Sequence, residues 1–212
     1  MLGAIGIHLI TFFWAFVYFR YLYLNYEILA VSGASGYLQE ITLQSILVNL
    51  PIILIFIAVL MKGRKRAADN FHLMVEGKKT VLIVSILVVV YLAMLIRQIV
   101  VYGDMSGIIF KWLYYFIFVA FMEELEYRAV IPALLKGHVN SKLEWILPNV
   151  LFACAHILMP IVQGKAAGEV LGILLSSILG YVLAGMFFEG CKRVGGSLWV
   201  SVLVHALMDF GI

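Results

Sequence analysis

Seven runs of apolar residues dominate this chain, at about 3–24, 45–61, 80–96, 108–122 continuing towards 135, 145–160, 169–188 and 198–211. Polar stretches holding most of the charge separate them. A helix that crosses the roughly 30 Å hydrocarbon core of a bilayer needs about 20 apolar residues. Backbone groups in lipid must be satisfied within the segment, and none of the runs alternates with a period of two as a barrel strand would. The expectation is an all-α, polytopic transmembrane helical bundle of about seven spans. The run at 145–160 is short, and its Pro148 and Pro160 predict a tilted or partly inserted helix.

Composition narrows what such a bundle can do. Of 212 residues, 64% are hydrophobic and 13% charged, against roughly 45–50% and 25% in soluble domains. A soluble enzyme is excluded, and so is a membrane anchor carrying a water-soluble domain: roughly 70 residues remain outside seven spans of this length. Function must therefore sit among the helices. The net charge of +3 is small and scattered, which gives no footprint for a nucleic-acid partner. Cys154 and Cys191 fall in different segments without metal-ligand spacing and read as free thiols. The first cation is Arg20, so no basic region precedes the first run, which is expected to be retained as a span.

Lysine and arginine set an expected orientation. Six cations lie between Lys62 and Lys79, with Lys136 and Lys142 in a later connection and Lys192 and Arg193 in another. Alternating spans put these three connections on one side, while Arg20, Arg97, Lys111 and Lys165 fall near the other and Arg128 lies within a span. The positive-inside rule places the basic side, and with it the N-terminus, in the cytoplasm of what reads as a bacterial plasma membrane.

Ionisable side chains inside spans cost roughly 2.5–3.5 kcal/mol each on insertion scales and call for a reason. The fourth run ends in Glu123-Glu124-Leu125-Glu126-Tyr127-Arg128. If its helix starts near Ile108, Glu123 lies about 22 Å along it, in the cytoplasmic half. Glu124 and Arg128 are four apart on one face and are expected to pair, leaving Glu123 pointing elsewhere. Glu126 fits a charged helix end emerging from the membrane. His156 shares a face with Phe152 one turn before it, and Asn149 lies one turn earlier still. In the last run Ser201, His205 and Asp209 follow at i, i+4 and i+8. His8, in the first run, has no such neighbour and reads as structural. Glu, His, His and Asp in three spans are tolerable only when gathered around shared water, and such a set suits either metal coordination or water activation.

These residues resemble the CAAX prenyl protease 2-like intramembrane proteases, the family of CAAX proteases and bacteriocin-processing enzymes. Its pattern is E-E-x-x-x-R, then F-x-x-x-H, then H-x-x-x-N or D, each on its own membrane helix. Here Glu123-Glu124-x-x-x-Arg128, Phe152-x-x-x-His156 and His205-x-x-x-Asp209 occur in that order, and the resemblance covers about residues 108–212. Residues 1–107 read as accessory spans. The resemblance implies an endopeptidase acting on a membrane-associated peptide, near its C-terminus or at a membrane-proximal site. It implies that Glu123 is the general base, polarising water together with His156. His205 and Asp209 would line the oxyanion site, and Glu124 and Arg128 would hold the helix of Glu123 in register. Family members often carry Asn where this chain has Asp209. An ionised Asp cannot donate to an oxyanion, so Asp209 orients His205, is protonated, or helps to bind a metal. Both chemistries stay open: a metal-free glutamate mechanism, towards which the absence of H-E-x-x-H leans, and a divalent ion such as zinc on His156, His205 and Glu123.

Other features compete for the same residues. Gly33-Ala34-Ser35-Gly36 matches the G-x-S-G of rhomboid proteases but lies in a Gly/Ser loop. Ser201, His205 and Asp209 have the composition of a triad, yet parallel Cα–Cβ directions along one helix suit its geometry poorly. Cys154 and His156 are two apart and point to different sides of a helix. Two other functions remain: a non-catalytic immunity or peptide-binding membrane protein, and a small proton-coupled transporter using buried Glu and His as a relay.

Overall fold

The computed structural model describes residues 1–26, 35–62 and 74–211. Its elements are helices: α1 (Leu2–Tyr26), α2 (Ser35–Lys62), α3 (Lys78–Tyr102), α4 (Met105–Leu135), α5 (Ser141–Ala155), α6 (Leu158–Val162), α7 (Ala167–Gly195) and α8 (Leu198–Gly211). No strand occurs among the described residues. Five single helices (α1, α2, α3, α4 and α7) and the α5–α6 pair are long and apolar enough to cross a membrane, and α8 is a shorter apolar helix. The chain is an all-α polytopic bundle, as its apolar runs require. On α3 only Thr80 and Tyr91 are buried; Leu82, Ile86, Val89, Ile96 and Val100 face outward, which lipid tolerates and water would not.

Short-range chemistry fixes the turns. Gly103 closes α3 in the left-handed region (φ 73°), with its N–H donating to the Ile99 carbonyl, and Asp104 caps α4 by accepting from Gly107 N at 2.9 Å. Asn140 caps α5 by accepting from Leu143 N at 2.9 Å. Gly196, also left-handed (φ 72°), ends α7 and turns the chain into α8.

Two prolines shape the interior. Pro160 has no N–H for the carbonyl four residues back, that of His156, and its ring crowds the same carbonyl. The fifth span breaks there, with tightened i→i−3 bonds from His156 N to Ala153 O and from Ile157 N to Cys154 O. The short run at 145–160 is thus part of a broken segment, Ser141–Val162, long and apolar enough to cross a membrane. On α4, Tyr114–Phe121 and Glu126–Val130 are wound as π-helix, the wider form that concentrates at functional sites. Pro132 follows the second stretch and leaves the Arg128 carbonyl without its usual α-helical donor; Lys192 Nζ of α7 donates to it.

Contacts between elements define the two ends of the bundle. Gly3 of α1 lies against Leu134 of α4, and Gly196 against Thr80 of α3. That end holds the N-terminus, the start of α3, the α4–α5 turn and the α7–α8 turn. At the other end Arg20 donates to the Val162 carbonyl, Tyr18 hydrogen-bonds Ser45, and Gln98 donates to the Phe210 carbonyl at 2.9 Å. Between them the main core joins Phe56 of α2, Tyr91 of α3, Ala129 of α4 and Phe210 of α8.

Candidate active site

The carboxylates of α4 diverge, as adjacent helical positions must. Glu124 is fully buried and turns towards α8 and its own Arg128: its Oε2 lies 3.5 Å from Arg128 Nε, and its Oε1 lies 3.0 Å from His205 Nδ1. Glu123 keeps about a third of its side chain exposed, to a cavity, with Oε2 3.9 Å from His205 Nε2. Asp209, one turn after His205, brings Oδ2 to 3.4 Å from the same Nε2. One imidazole thus stands among three carboxylates, with Glu124 on one nitrogen and Glu123 and Asp209 on the other.

His156 reaches the cavity because its helix ends there. Its Nδ1 lies 2.8 Å from the Phe152 carbonyl, which makes Nδ1 the donor and leaves Nε2 with a lone pair. The ring is stacked on Tyr181 of α7, with centroids 3.7 Å apart. Phe152, fully buried, is the hub behind it: its ring meets Tyr127, His156, Phe188 and His205 edge to face, and Arg128 lies over it at 4.9 Å. Phe188 is stacked on His205 at 4.3 Å.

Glu123, His156, His205 and Asp209 line one cavity of about 640 Å³, within the range of ligand sites. Its other walls are Phe19, Tyr114, Tyr115, Val119, the 155–160 break, Ile173 and Tyr181. Every lining residue comes from the catalytic level or from the end opposite the basic connections. Towards the basic end the cavity is closed by Glu124, Arg128, Phe152, Phe188 and His205, each less than 10% exposed. Beyond that layer lies a separate cavity of about 330 Å³, lined by Arg128, Asn149, Glu189 and Lys192 among others. Glu123 is about 18 Å along α4 from the basic end, and it also lines a second cavity of about 160 Å³ with Thr11, Asn49, Glu126 and Tyr127.

Several expectations on single residues change with the fold. Glu126 is no emerging helix end: it is buried, with Oε1 2.8 Å from Thr11 Oγ1 and 3.2 Å from His8 Nδ1. His8 therefore does have a partner, 118 positions away. Asn149 is buried in the layer beneath the site, where its Nδ2 donates to the Trp145 carbonyl. Ser201 is buried and donates to Leu198 O at 3.1 Å; it does not line the cavity. Gly33 and Ala34 of the serine-loop motif lie outside the described residues. Cys154 and Cys191 are free.

The sequence reading missed the contribution of α7. Tyr181 and Phe188 clamp the two histidines, and Gly185 lets the helices close. A Cβ at Gly185 would come 2.7 Å from Asn149 Oδ1 and 3.3 Å from Arg128 Nη2, while its carbonyl accepts from that same Nη2 at 3.0 Å. These residues look like ordinary members of an apolar run, and no local signal separates them. For the metal set His156, His205 and Glu123 the fit is poor: among the described residues no three His, Cys, Asp or Glu side chains are grouped to hold one ion.

Residues 105–211 match the model of the family described as type II CAAX prenyl endopeptidase, Rce1-like. No curated protein and no solved structure matches the chain.

Proposed function

The chain belongs to the Rce1-like type II CAAX prenyl endopeptidase family and is an intramembrane protease; we propose that it hydrolyses membrane-associated peptides with water activated between Glu123 and His156. The observation that carries this reading is the convergence of Glu123, His156, His205 and Asp209 on one cavity. Glu123 has about a third of its side chain exposed and lines the cavity, while its Oε2 is buried without a hydrogen-bond partner among the described residues. His156, donating from Nδ1 to Phe152, offers an accepting Nε2. Water held between the two loses a proton to Glu123 as its oxygen adds to the scissile carbonyl carbon. The carbonyl becomes a tetrahedral oxyanion, and Glu123 passes the proton to the leaving amine as the C–N bond breaks.

His205 suits the oxyanion. Its Nδ1 is held by Glu124 Oε1 at 3.0 Å, and its Nε2, towards the cavity, is the atom that would donate to the oxyanion. Asp209, lying against that Nε2, orients the ring instead of donating itself, and this accounts for Asp where relatives often have Asn. Donors fixed before reaction at the site of developing charge are among the largest contributors to catalysis. No step is drawn through a metal, since the donors present do not form a ligand set.

The test is Glu123→Gln. Comparative peptidomics of membranes carrying the native chain or this variant should show fragments that vanish with the carboxylate, with turnover down about 10²–10⁴-fold, while the variant keeps its melting temperature. Unchanged fragment patterns would refute the reading. Activity that survives exhaustive chelation supports the metal-free form.

A further inference from the structure

We infer that the smaller cavity beside Glu123 is a substrate side-chain subsite that selects lysine or arginine next to the scissile bond, with Glu126 as the selecting carboxylate. This rests on the peptidase reading above and adds to it a class of substrate. Its position against the catalytic chamber and its unfilled hydrogen-bond acceptors carry it.

The cavity, of about 160 Å³, shares a wall with the chamber. Phe19, Tyr114, Val119, Glu123, Ala155 and Leu158 line both spaces, so the catalytic carboxylate stands on their common boundary. A peptide whose scissile carbonyl lies against Glu123 brings a flanking side chain to that boundary. The space beyond suits one long side chain and not a chain segment. Its further walls come largely from α1 and α2, with Phe12, Trp14 and Ile52 among them, and these helices precede the family-matched residues 105–211. The selectivity therefore belongs to the part of the chain that the family model does not cover.

The donors in this cavity are already used. Trp14 Nε1 donates to the Val48 carbonyl at 3.0 Å, Asn49 Nδ2 to the Ser45 carbonyl at 2.8 Å, and Thr11 Oγ1 to Glu126 Oε1 at 2.8 Å. His8 stands behind Glu126, with Nδ1 3.2 Å from the same Oε1; a neutral ring with its proton on Nδ1 suffices for that contact and leaves the carboxylate its charge. Both contacts fall on Oε1. Glu126 Oε2 and Asn49 Oδ1 accept no hydrogen bond among the described residues, although Glu126 is only 8% exposed. No Lys, Arg or His among the described residues lines the cavity. A carboxylate oxygen and an amide oxygen without donors, in so small a space, call for a donor that carries positive charge. Lysine and arginine bring one on an alkyl stem that lies well against apolar walls, and the rings of Phe12, Trp14, Phe19, Tyr114 and Phe118 favour a cation among them. A leucine would leave both acceptors unpaired, and an acidic side chain would meet Glu126 and Glu123. Basic residues are common beside the ends of membrane segments, so the substrate class is a juxtamembrane peptide cut next to lysine or arginine.

The test begins with the Glu123-dependent fragments from the peptidomic comparison above, which locate a cut. The peptide spanning it is synthesised with lysine, arginine, norleucine or glutamate at each of the two positions flanking the cut, and offered to the purified full chain in proteoliposomes. Norleucine has nearly the shape of lysine and lacks the ammonium group. At one of the two positions, kcat/KM with lysine or arginine should exceed that with norleucine at least about tenfold, with glutamate the poorest. Glu126→Gln should bring the lysine-to-norleucine ratio close to one. Equal rates with lysine and norleucine in the native chain, or a ratio that Glu126→Gln leaves unchanged, overturns the proposal. If Glu126→Gln does not accumulate, Asn49→Leu removes the other free acceptor and should lower the same ratio severalfold; an unchanged ratio there is equally fatal. Absence of any Glu123-dependent fragment is failure of the peptidase reading, and the subsite falls with it. A Glu123-dependent cut without preference for a basic residue sinks the subsite alone.

Discussion

Nδ1 of His205 on α8 lies 3.0 Å from Oε1 of Glu124 on α4, and the other oxygen of that carboxylate faces Arg128. The carboxylate is fully buried, so it joins Arg128 and His205 where water cannot replace it. Removing one member of a buried pair typically costs about 3–5 kcal/mol, because the other charge is left uncompensated. Glu124→Gln is therefore expected to lower the melting temperature in detergent by about 6–20 °C, at roughly 2–4 °C per kcal/mol. Glu123→Gln, whose carboxylate faces the cavity, should melt within about 2 °C of the native protein. A Glu124→Gln protein as stable as wild type would show that this carboxylate does not hold α4 to α8.

Tyr181 stacks on His156 at 3.7 Å and fixes the plane in which Nε2 presents its lone pair. Aromatic pairs of this kind are worth about 0.5–1.5 kcal/mol. Tyr181→Ala should reduce kcat about 2- to 12-fold with little change in KM, and Tyr181→Phe should restore it. A Phe variant as slow as the Ala variant would point to the hydroxyl instead of the stack.

At Gly185 the tolerance for added atoms is nearly nil. A methyl group there meets Asn149 Oδ1 at 2.7 Å, and overpacking costs about 1–3 kcal/mol. Gly185→Ala should melt earlier and lose activity together, since α7 must back away from Arg128 and Phe152. The control is Gly180→Ala, where nothing lies within 4 Å of an added Cβ; melting curves that do not differ would disprove the close approach.

Ser201 supplies a negative prediction. Its hydroxyl bonds the Leu198 carbonyl inside the helix and is absent from the cavity wall. Ser201→Ala should cost about 1 kcal/mol of stability and leave cleavage rates within about twofold. A hundredfold loss would restore a serine nucleophile to consideration.

What the sequence made legible was whatever broke the apolar background. Glu123, Glu124, Arg128, His156, His205 and Asp209 stand out because lipid forbids such residues without cause, and helical spacing alone brings Glu124 to Arg128 and His205 to Asp209. Contacts made by long-range folding were not legible. Glu126 resembled a solvated helix end until α1 delivered His8 and Thr11 to it. Tyr181, Gly185 and Phe188 are apolar or small residues in an apolar run, so periodicity cannot say which of them faces a histidine and which faces lipid. Pro160 was visible as a helix breaker, but only the fold shows that the break delivers His156 to the cavity.

The layer of Arg128, Glu124, Phe152 and Phe188 has a bearing on the cell as a whole. Hydrolysis needs water deep in the bilayer, yet a continuous file of water would let protons run down their gradient, each releasing about 2.3 kcal/mol per 100 mV. A well sealed at its floor by a neutralised ion pair and packed rings reconciles the two. Solvent descends far enough to do chemistry and stops there, so the enzyme can work in an energised membrane without short-circuiting it.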